Sequence, residues 1–481
     1  MEVEGVDAIT TNDRQERSGL LSRLPTSGEG ERNDSLASPF SDTERQRPVL
    51  PPAPESLAET GLSPSFLIEH LLKILHYAET ATVSHLARVI GLPRKLVDEL
   101  LDDLKRNRLC VAVTPSNDLS NPAYRLSETG TLRAERALER CRYAGPAPVT
   151  PDQYQRTIGP QSLRKLRPSA EVIRGAWQSL VLDAKTADLL ERALHSGRCT
   201  MLFGPSGTGK THVLSQFMHY LGGEVLVPHA IYAYGQIIRV YDRMVHVPAD
   251  GGDPLHFSNE KSASQAEVFA YDRRWMRIRR PGLIVGGELR SESLELGYDP
   301  LTQFYQAPIQ LKAQGGVLVV DDLGRQKVRP ADLLNRWIMA FERGRDNLLL
   351  RTGENVEIPF HVTLLFSTNM NPADLADAAF LRRIPYKVRM PWTTPSQFEE
   401  ILRRVSDEYQ IQYSDADVNQ VVSFLVRTFE NQLSGSLARD LVSLLVDNAE
   451  HEGRMPTLTV AAIDLASLQF TGDIVVKVDS Q

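Results

Sequence analysis

Residues 203–214 read FGPSGTGKTHVL. The spacing G-x-x-x-x-G-K-[ST] falls on Gly204, Gly209, Lys210 and Thr211, with Pro205, Ser206, Gly207 and Thr208 filling the interval. Glycines let a backbone curl until its N–H groups face phosphate oxygens, and the start of a helix adds partial positive charge. In such a loop Lys210 reaches the β- and γ-phosphates and Thr211 ligates Mg²⁺. The apolar TMLF before the loop and the amphipathic THVLSQFMHYL after it supply the strand and helix that this chemistry requires.

A second set of groups lies in GGVLVVDDLGR, residues 315–325. Four apolar residues end in Asp321 and Asp322. A Mg²⁺-nucleotide needs an acid at the tip of a neighbouring strand, which suits Asp321, and Asp322 could polarise an attacking water. Asn369 ends the apolar HVTLLFSTN. It could hold the water or the γ-phosphate by its amide, or simply make a turn. Arg382 and Arg383 precede a strand in DAAFLRRIPYKV. They read as surface charges or as fingers acting on a neighbour's γ-phosphate. Arg439 stands near the start of a helix in SGSLARDLVSLL, where a cation opposes the helix dipole. It therefore awaits either an anionic partner or an acid such as Asp440.

The elements around these residues alternate. CTMLFG, EVLVPHAIYAYG, VLVVDD and VTLLFSTN read as strands, with helical patterns between them, so residues 173–395 are expected to form an α/β domain with a parallel sheet. The distance from Lys210 to Asp321 exceeds what a minimal core needs, so residues 223–305 read as an insert. Its run from Arg273 to Arg280 holds five arginines around Trp275, which suits either a nucleic-acid contact or a strand with solvated arginines. Residues 396–481 read as a helical lid.

Upstream, residues 1–60 are rich in Ser, Pro, Glu and Arg, too polar to bury a core, and are expected to be a disordered tail. Residues 61–145 read as helix, helix-GLP-helix, then two strands, LCVAV and AYRLS, joined through TPSNDLSNP; this order resembles a winged helix. Residues 146–172 read as a basic linker.

Phosphate loop, strand-terminal acids, strand-terminal Asn, arginine pair and a helical region with its own Arg, in that order, resemble the AAA+ ATPase superfamily over roughly residues 173–470. The resemblance implies ATP and Mg²⁺ as ligands. Gly204 to Thr211 match Walker A and Val317 to Asp322 match Walker B. Asn369 matches the first sensor, Arg382 or Arg383 the arginine finger, and Arg439 the second sensor. Leu180 to Leu182, in QSLVLDAKTADLLERALHSG, match the segment that cups the adenine. The hairpin around RTGEN, residues 351–355, resembles the pre-sensor hairpin of the MoxR-like branch. FYQAPIQLKAQGGVLVVDDLGRQ resembles bacterial proteins described as predicted ATPases with chaperone activity. The family implies a homo-oligomeric ring, commonly a hexamer, and remodelling of a protein client. One departure matters: the second Walker B acid is usually Glu, and Asp322 retracts the carboxylate by about one C–C bond, ~1.5 Å. The site could then be an active motor or a slow nucleotide switch.

Composition narrows the classes. A net charge of −7 argues against a chain built mainly to neutralise a phosphate backbone. The helix beginning Arg94–Lys95 also carries Asp98, Glu99, Asp102 and Asp103, which favours protein contact over DNA, although DNA stays open. Three scattered cysteines suggest neither a metal site nor a disulfide framework. No apolar run is long enough for a membrane span and no leader is evident, so a cytoplasmic protein is expected.

Overall fold

The computed structural model describes residues 47–113, 121–178, 180–249 and 271–472. The expected tail up to residue 46, most of the TPSNDLSNP loop and the middle of the insert lie outside these residues.

At the centre is a five-stranded, wholly parallel sheet. Its strands, in chain order, are β1 (Thr200–Phe203), β2 (Gly282–Val285), β3 (Val317–Val320), β4 (Thr363–Thr368) and β5 (Tyr386–Arg389), arranged in space as β5-β1-β4-β3-β2. Helix α1 (Lys210–Leu221) follows β1, and α2 (Pro330–Arg343) follows β3. Helices cover both faces, which explains the unbroken apolar runs. Val317 and Val319 pack among Leu214 and Phe217 of α1, whereas Leu318 and Val320 pack among Leu334 and Trp337 of α2. This order puts β4 between the loop-bearing β1 and the acid-bearing β3. The tips of all three strands therefore meet at one edge of the sheet.

The expected strand EVLVPHAIYAYG is not part of this sheet. It splits into Glu224–Pro228, paired antiparallel with Trp275–Arg279, and Ala230–Ala233, which joins a separate four-stranded sheet. The second core strand is instead Gly282–Val285, a short run just after Pro281. Its edge position leaves Ile284 half exposed, so it lacks the length and uniform burial that mark the other strands.

The arginine run forms the strand Trp275–Arg279, with Trp275 and Ile278 buried. Arg274 is itself buried and pairs with Asp272 at 2.8 Å, donating also to the carbonyl of Thr60 at 2.9 Å. Arg277 pairs with Glu224, and Arg280 donates to the carbonyls of Gln161 and Gly315. These arginines hold segments of the protein together, which leaves little of the run for nucleic acid.

Residues 47–60 pack against the rest of the chain, against expectation. Pro52 bridges to Tyr271, and Leu57 and Thr60 are buried. The helices Pro64–Ala78, Val83–Ile90, Arg94–Arg106 and Glu128–Arg140 surround a three-stranded antiparallel sheet of Thr80–Thr82, Ala123–Leu126 and Cys110–Val113. This region leans on the insert: the rings of Phe66 and Tyr232 meet at a tilt with centres 4.3 Å apart, and Val149 bridges to Ile231. Residues 146–172, expected as a linker, carry the helices Pro151–Ile158 and Leu163–Leu166 and the start of Ala170–Trp177. Thr150 and Gln153 close a capping box, and Tyr154 and Ile158 supply apolar anchors that a composition reading passes over.

The hairpin Arg345–Leu349 with Asn355–Pro359 precedes β4. The C-terminal helices α3 (Pro395–Glu408), α4 (Asp415–Thr428), α5 (Gly435–His451) and α6 (Val460–Thr471) share their own core of Phe398, Leu402, Val421, Leu441 and Ile463.

Candidate active site

The loop from Gly204 to Gly209 joins β1 to α1. Gly209 is left-handed, φ 85°, and a Cβ built there meets nothing within 4 Å, so the loop curls around open space. Gly207, φ 78°, is required for a different reason: its Cβ would lie 2.2 Å from Oγ of Ser436, at the start of α5. The lid touches the loop here, the Ser436 N–H donating to the Gly207 carbonyl at 3.2 Å. Thr208 Oγ1 donates to the Pro205 carbonyl at 3.0 Å and tightens the curl, with Ser206 between them.

Lys210 is 5% exposed, and its Nζ donates to the carbonyls of Gly204 (2.9 Å) and Pro205 (2.6 Å). Burial lowers its pKa, and the charges of Asp322 and Asp321 oppose that shift. Thr211, next on the helix, donates from Oγ1 to Oδ1 of Asp321 at 2.7 Å, across 110 residues of sequence.

The same Oδ1 accepts from Oγ of Ser367, on β4. Ser367 Oγ in turn accepts the N–H of Asp322 at 3.2 Å. One buried serine therefore grips both acids of the pair. Asp322 is left-handed, φ 50°, a conformation that Asp tolerates better than longer side chains. Its Oδ1 accepts from Asn369 Nδ2 at 3.0 Å. Gln326 Nε2 donates to the carbonyls of Asp321 (2.7 Å) and Asp322 (3.1 Å) and braces the turn. Ser367 and Gln326 are absent from the sequence expectations. Ser367 is one of two adjacent hydroxyl residues, with Thr368, after the apolar LLF run, so the sequence does not single it out, and nothing local marks Gln326.

The arginines separate. Arg383 donates to Glu342 of α2 at 2.6 Å, within the same chain. Arg382 is exposed and forms no ion pair with a described residue. Arg439 makes a two-pronged bridge to Glu408 of α3, at 3.0 and 2.9 Å, rather than pairing with Asp440. It nonetheless stands near the loop: His212 of α1 has its pKa lowered first by burial and then by the Arg439 charge. Leu182 and Leu180 pack against the cluster that holds Val213 and Leu214 of α1, beside the loop.

The fold thus brings Lys210, Thr211, Asp321, Asp322 and Asn369 to one edge of the sheet and places Arg439 on the lid beside α1. The donors fit a hard divalent cation: a hydroxyl and a carboxylate oxygen lie together at Thr211 and Asp321. No group of three or more His, Cys, Asp and Glu able to hold a metal gathers among the described residues. An ion held here would draw its other ligands from phosphate and water.

A family model described as a domain of unknown function (DUF8689) matches residues 394–467, the span of α3 to α6. No curated protein matches the chain. Similar solved structures include the RuvB Holliday junction branch migration motor of Thermotoga maritima, at 14% identity, covering 65% of this chain and 72% of that one with a TM-score of 0.30. NtrX from Brucella abortus matches at 13% identity, 70% and 61% coverage and a TM-score of 0.36. Domain III of the Thermotoga maritima replication initiation protein DnaA matches at 12% identity, 61% and 95% coverage and a TM-score of 0.34. These scores are low, and the fold class rests on the parallel sheet, its strand-tip acids, the glycine loop and the helical lid. It is an α/β fold in which a five-stranded parallel sheet carries a glycine-rich phosphate-loop pattern and is followed by a helical lid.

Proposed function

We propose that this chain is an ATPase that binds Mg-ATP at the Gly204–Thr211 loop and couples its hydrolysis to remodelling of a protein partner. The observation that carries the reading is the chain Thr211–Asp321–Ser367–Asp322–Asn369, in which two strand tips and one helix start converge through hydrogen bonds. In this reading the loop amides and Lys210 hold the phosphates, and Thr211 and Asp321 hold Mg²⁺. The ion, when bound, offsets phosphate charge. Asp322 takes the proton of the attacking water, and Asn369 fixes the carboxylate that does so. Leu182 lies against the base, and Arg439 senses the phosphates from the lid. Arg382 is the better finger, because Arg383 is held by Glu342 while Arg382 is exposed on this chain. A finger working in trans implies a homo-oligomeric ring, a hexamer by resemblance.

The winged-helix-like region fits protein contact better than DNA. In Arg94–Arg106, Arg94 pairs with Asp98, Lys105 with Asp102 and Arg106 with Asp103, so three of its four cations are already met by acids. No helix of the described residues is long and apolar enough to cross a membrane; a cytoplasmic site of action is part of the proposal. One observation favours a second reading, a slow nucleotide switch: the short Asp322 side chain is engaged by Asn369. Turnover separates the two. Purified protein should hydrolyse ATP, and Lys210→Ala should abolish it; turnover unchanged in that variant would sink the ATPase assignment, and negligible turnover with tight ATP binding would favour the switch.

A further inference from the structure

A cleft of about 430 Å³ lies where the chain leaves the helix Glu128–Arg140 and meets the insert. None of its lining belongs to the phosphate loop, the acid pair or the lid. Its apolar part is aromatic. The rings of Tyr143 and Phe304 meet edge to face at 5.7 Å, and Tyr143 donates its hydroxyl to the Pro146 carbonyl at 2.9 Å, so that ring is fixed and its polar end is used internally.

The polar part is cationic. Arg142, Arg239 and Arg243 all line the cleft and are exposed. Arg239 is held in place: its Nε donates to Gln306 at 3.0 Å and its guanidinium lies 5.8 Å from the centre of the Phe304 ring. Among the described residues the one acid in the lining, Asp242, is engaged within the protein. It accepts from Lys312 Nζ at 2.7 Å and from the Met244 N–H at 3.0 Å. In a chain of net charge −7, a concave surface that carries Arg142 and Arg239 beside a single, already engaged acid among its described residues is set against the overall balance.

An independent feature is His229. It lines the same cleft, is only 9% exposed, and lies with its ring 5.3 Å from that of Tyr241. Its ring is not engaged by a hydrogen bond to a described residue, and its nitrogens are not among the fully buried polar atoms, so they are open to a ligand in the cleft. Burial, and then the Arg243 charge, lower its pKa to about 4, so at neutral pH it is an uncharged imidazole with one donor and one acceptor.

We propose that this cleft binds a small organic anion, a carboxylate or phosphate carried on a planar ring. The arginines take the anionic group, which their fork geometry suits. The aromatic side takes the ring, and His229 gains the hydrogen bond it lacks. The volume is that of an ordinary small-molecule site, which runs about 300–1,000 Å³. The cleft is built jointly by the exit of the N-terminal region and by the insert, so its ligand would bridge the two.

The test is calorimetric titration of the full-length Lys210→Ala protein, which removes phosphate binding at the loop. Benzoate and phenyl phosphate serve as probes, with acetate and benzyl alcohol standing for the anionic and ring halves of the first, and inorganic phosphate and phenol for those of the second. At least one ring-bearing anion should bind, at least about tenfold more tightly than either half. Which of the two binds distinguishes a carboxylate ligand from a phosphate ligand. Arg239→Gln should weaken that binding about tenfold or more, with an unchanged unfolding temperature. The proposal is overturned if neither ring-bearing anion binds, if the halves bind equally well, or if Arg142→Gln/Arg239→Gln leaves binding intact. Because the loop is disabled throughout, these results are independent of whether the chain hydrolyses ATP.

Discussion

Asn369 donates its amide proton to Oδ1 of Asp322 at 3.0 Å, across 47 residues of sequence. The bond leaves Oδ2 of Asp322 as the oxygen available to a water. It also fixes a short carboxylate whose backbone, at φ 50°, already constrains it. Removing the carboxylate charge should therefore stop chemistry while sparing binding. Asp322→Asn is expected to lower the ATPase kcat by about 10²–10⁴-fold, the usual contribution of a general base, with ATP affinity retained. Asp322→Glu should not rescue or raise turnover, because the longer side chain breaks the Asn369 contact and suits the left-handed backbone less well. A Glu variant faster than the parent would show that the native Asp limits the rate and would favour the switch reading.

Ser367 offers a finer test, since its hydroxyl touches no reacting atom. It donates to Asp321 and accepts from the Asp322 N–H. Ser367→Ala leaves that N–H without its partner, at a cost of about 1–3 kcal/mol in stability. It also frees the Asp321 carboxylate to turn, so the Mg²⁺ concentration giving half-maximal activity should rise and kcat should fall. Ser367→Thr keeps the hydroxyl on a β-branched residue suited to a strand, and should restore both. A loss of stability in Ser367→Ala with an unchanged Mg²⁺ dependence would reduce the serine to a packing role.

The two arginines should behave differently. Arg382→Ala is expected to cut turnover by about 10³-fold or more, as loss of a finger does, while each subunit still binds ATP. Arg383→Ala removes a partly exposed pair with Glu342 and should cost no more than about 1 kcal/mol of stability, with activity close to the parent's. Mixing Arg382→Ala with Lys210→Ala protein gives a discriminating readout. If the finger works in trans, mixed assemblies regain activity at interfaces that join one intact loop to one intact finger. Two inactive proteins that stay inactive together would exclude that arrangement for Arg382.

The parts of the fold legible in the sequence share a physical cause. β1, β3 and β4 are buried on both faces, so their runs stand out, β1 by the glycine loop that follows it to Lys210, β3 by Asp321 and β4 by Asn369. The edge strand β2 lacks that signal because Ile284 is half exposed and Gly282 and Leu283 are not buried. The second strand expected from EVLVPHAIYAYG belongs elsewhere, since an apolar run does not say which sheet it joins. Residues 47–60 and 151–158 escape a composition reading for a related reason. Their order comes from distant partners, such as Arg274 reaching the Thr60 carbonyl, and composition cannot report those. Within the site, the motif residues are legible because the chemistry fixes their spacing. Ser367, Gln326 and the Glu408 partner of Arg439 are not, because they act through contacts that only the folded chain brings together.

His70 makes acid sensitivity measurable in the N-terminal region. It is fully buried between Phe66 and Tyr143, each ring 5.7 Å away, and its Nε2 lies 2.8 Å from the Gly145 carbonyl, which accepts its proton. Burial, helped by the charge of Lys73, lowers its pKa from 6.5 to about 3. The folded protein therefore keeps His70 neutral at pH 5, while the unfolded chain takes up a proton below about pH 6.5. Stability from this group is fully present above pH 6.5 and declines as pH falls towards 3, at about 1.4 kcal/mol per pH unit. The neutral His229, at about 4, acts in the same direction. Denaturant unfolding at pH 7.0, 6.0 and 5.0 should show falling stability, and His70→Phe, which keeps a ring in the stack, should flatten the slope by about one proton. The lost bond to Gly145 lowers the variant's stability at every pH, so the slope rather than the midpoint is the readout. An identical slope in parent and variant would mean that His70 is already protonated in the fold, or that this region unfolds before the transition being measured.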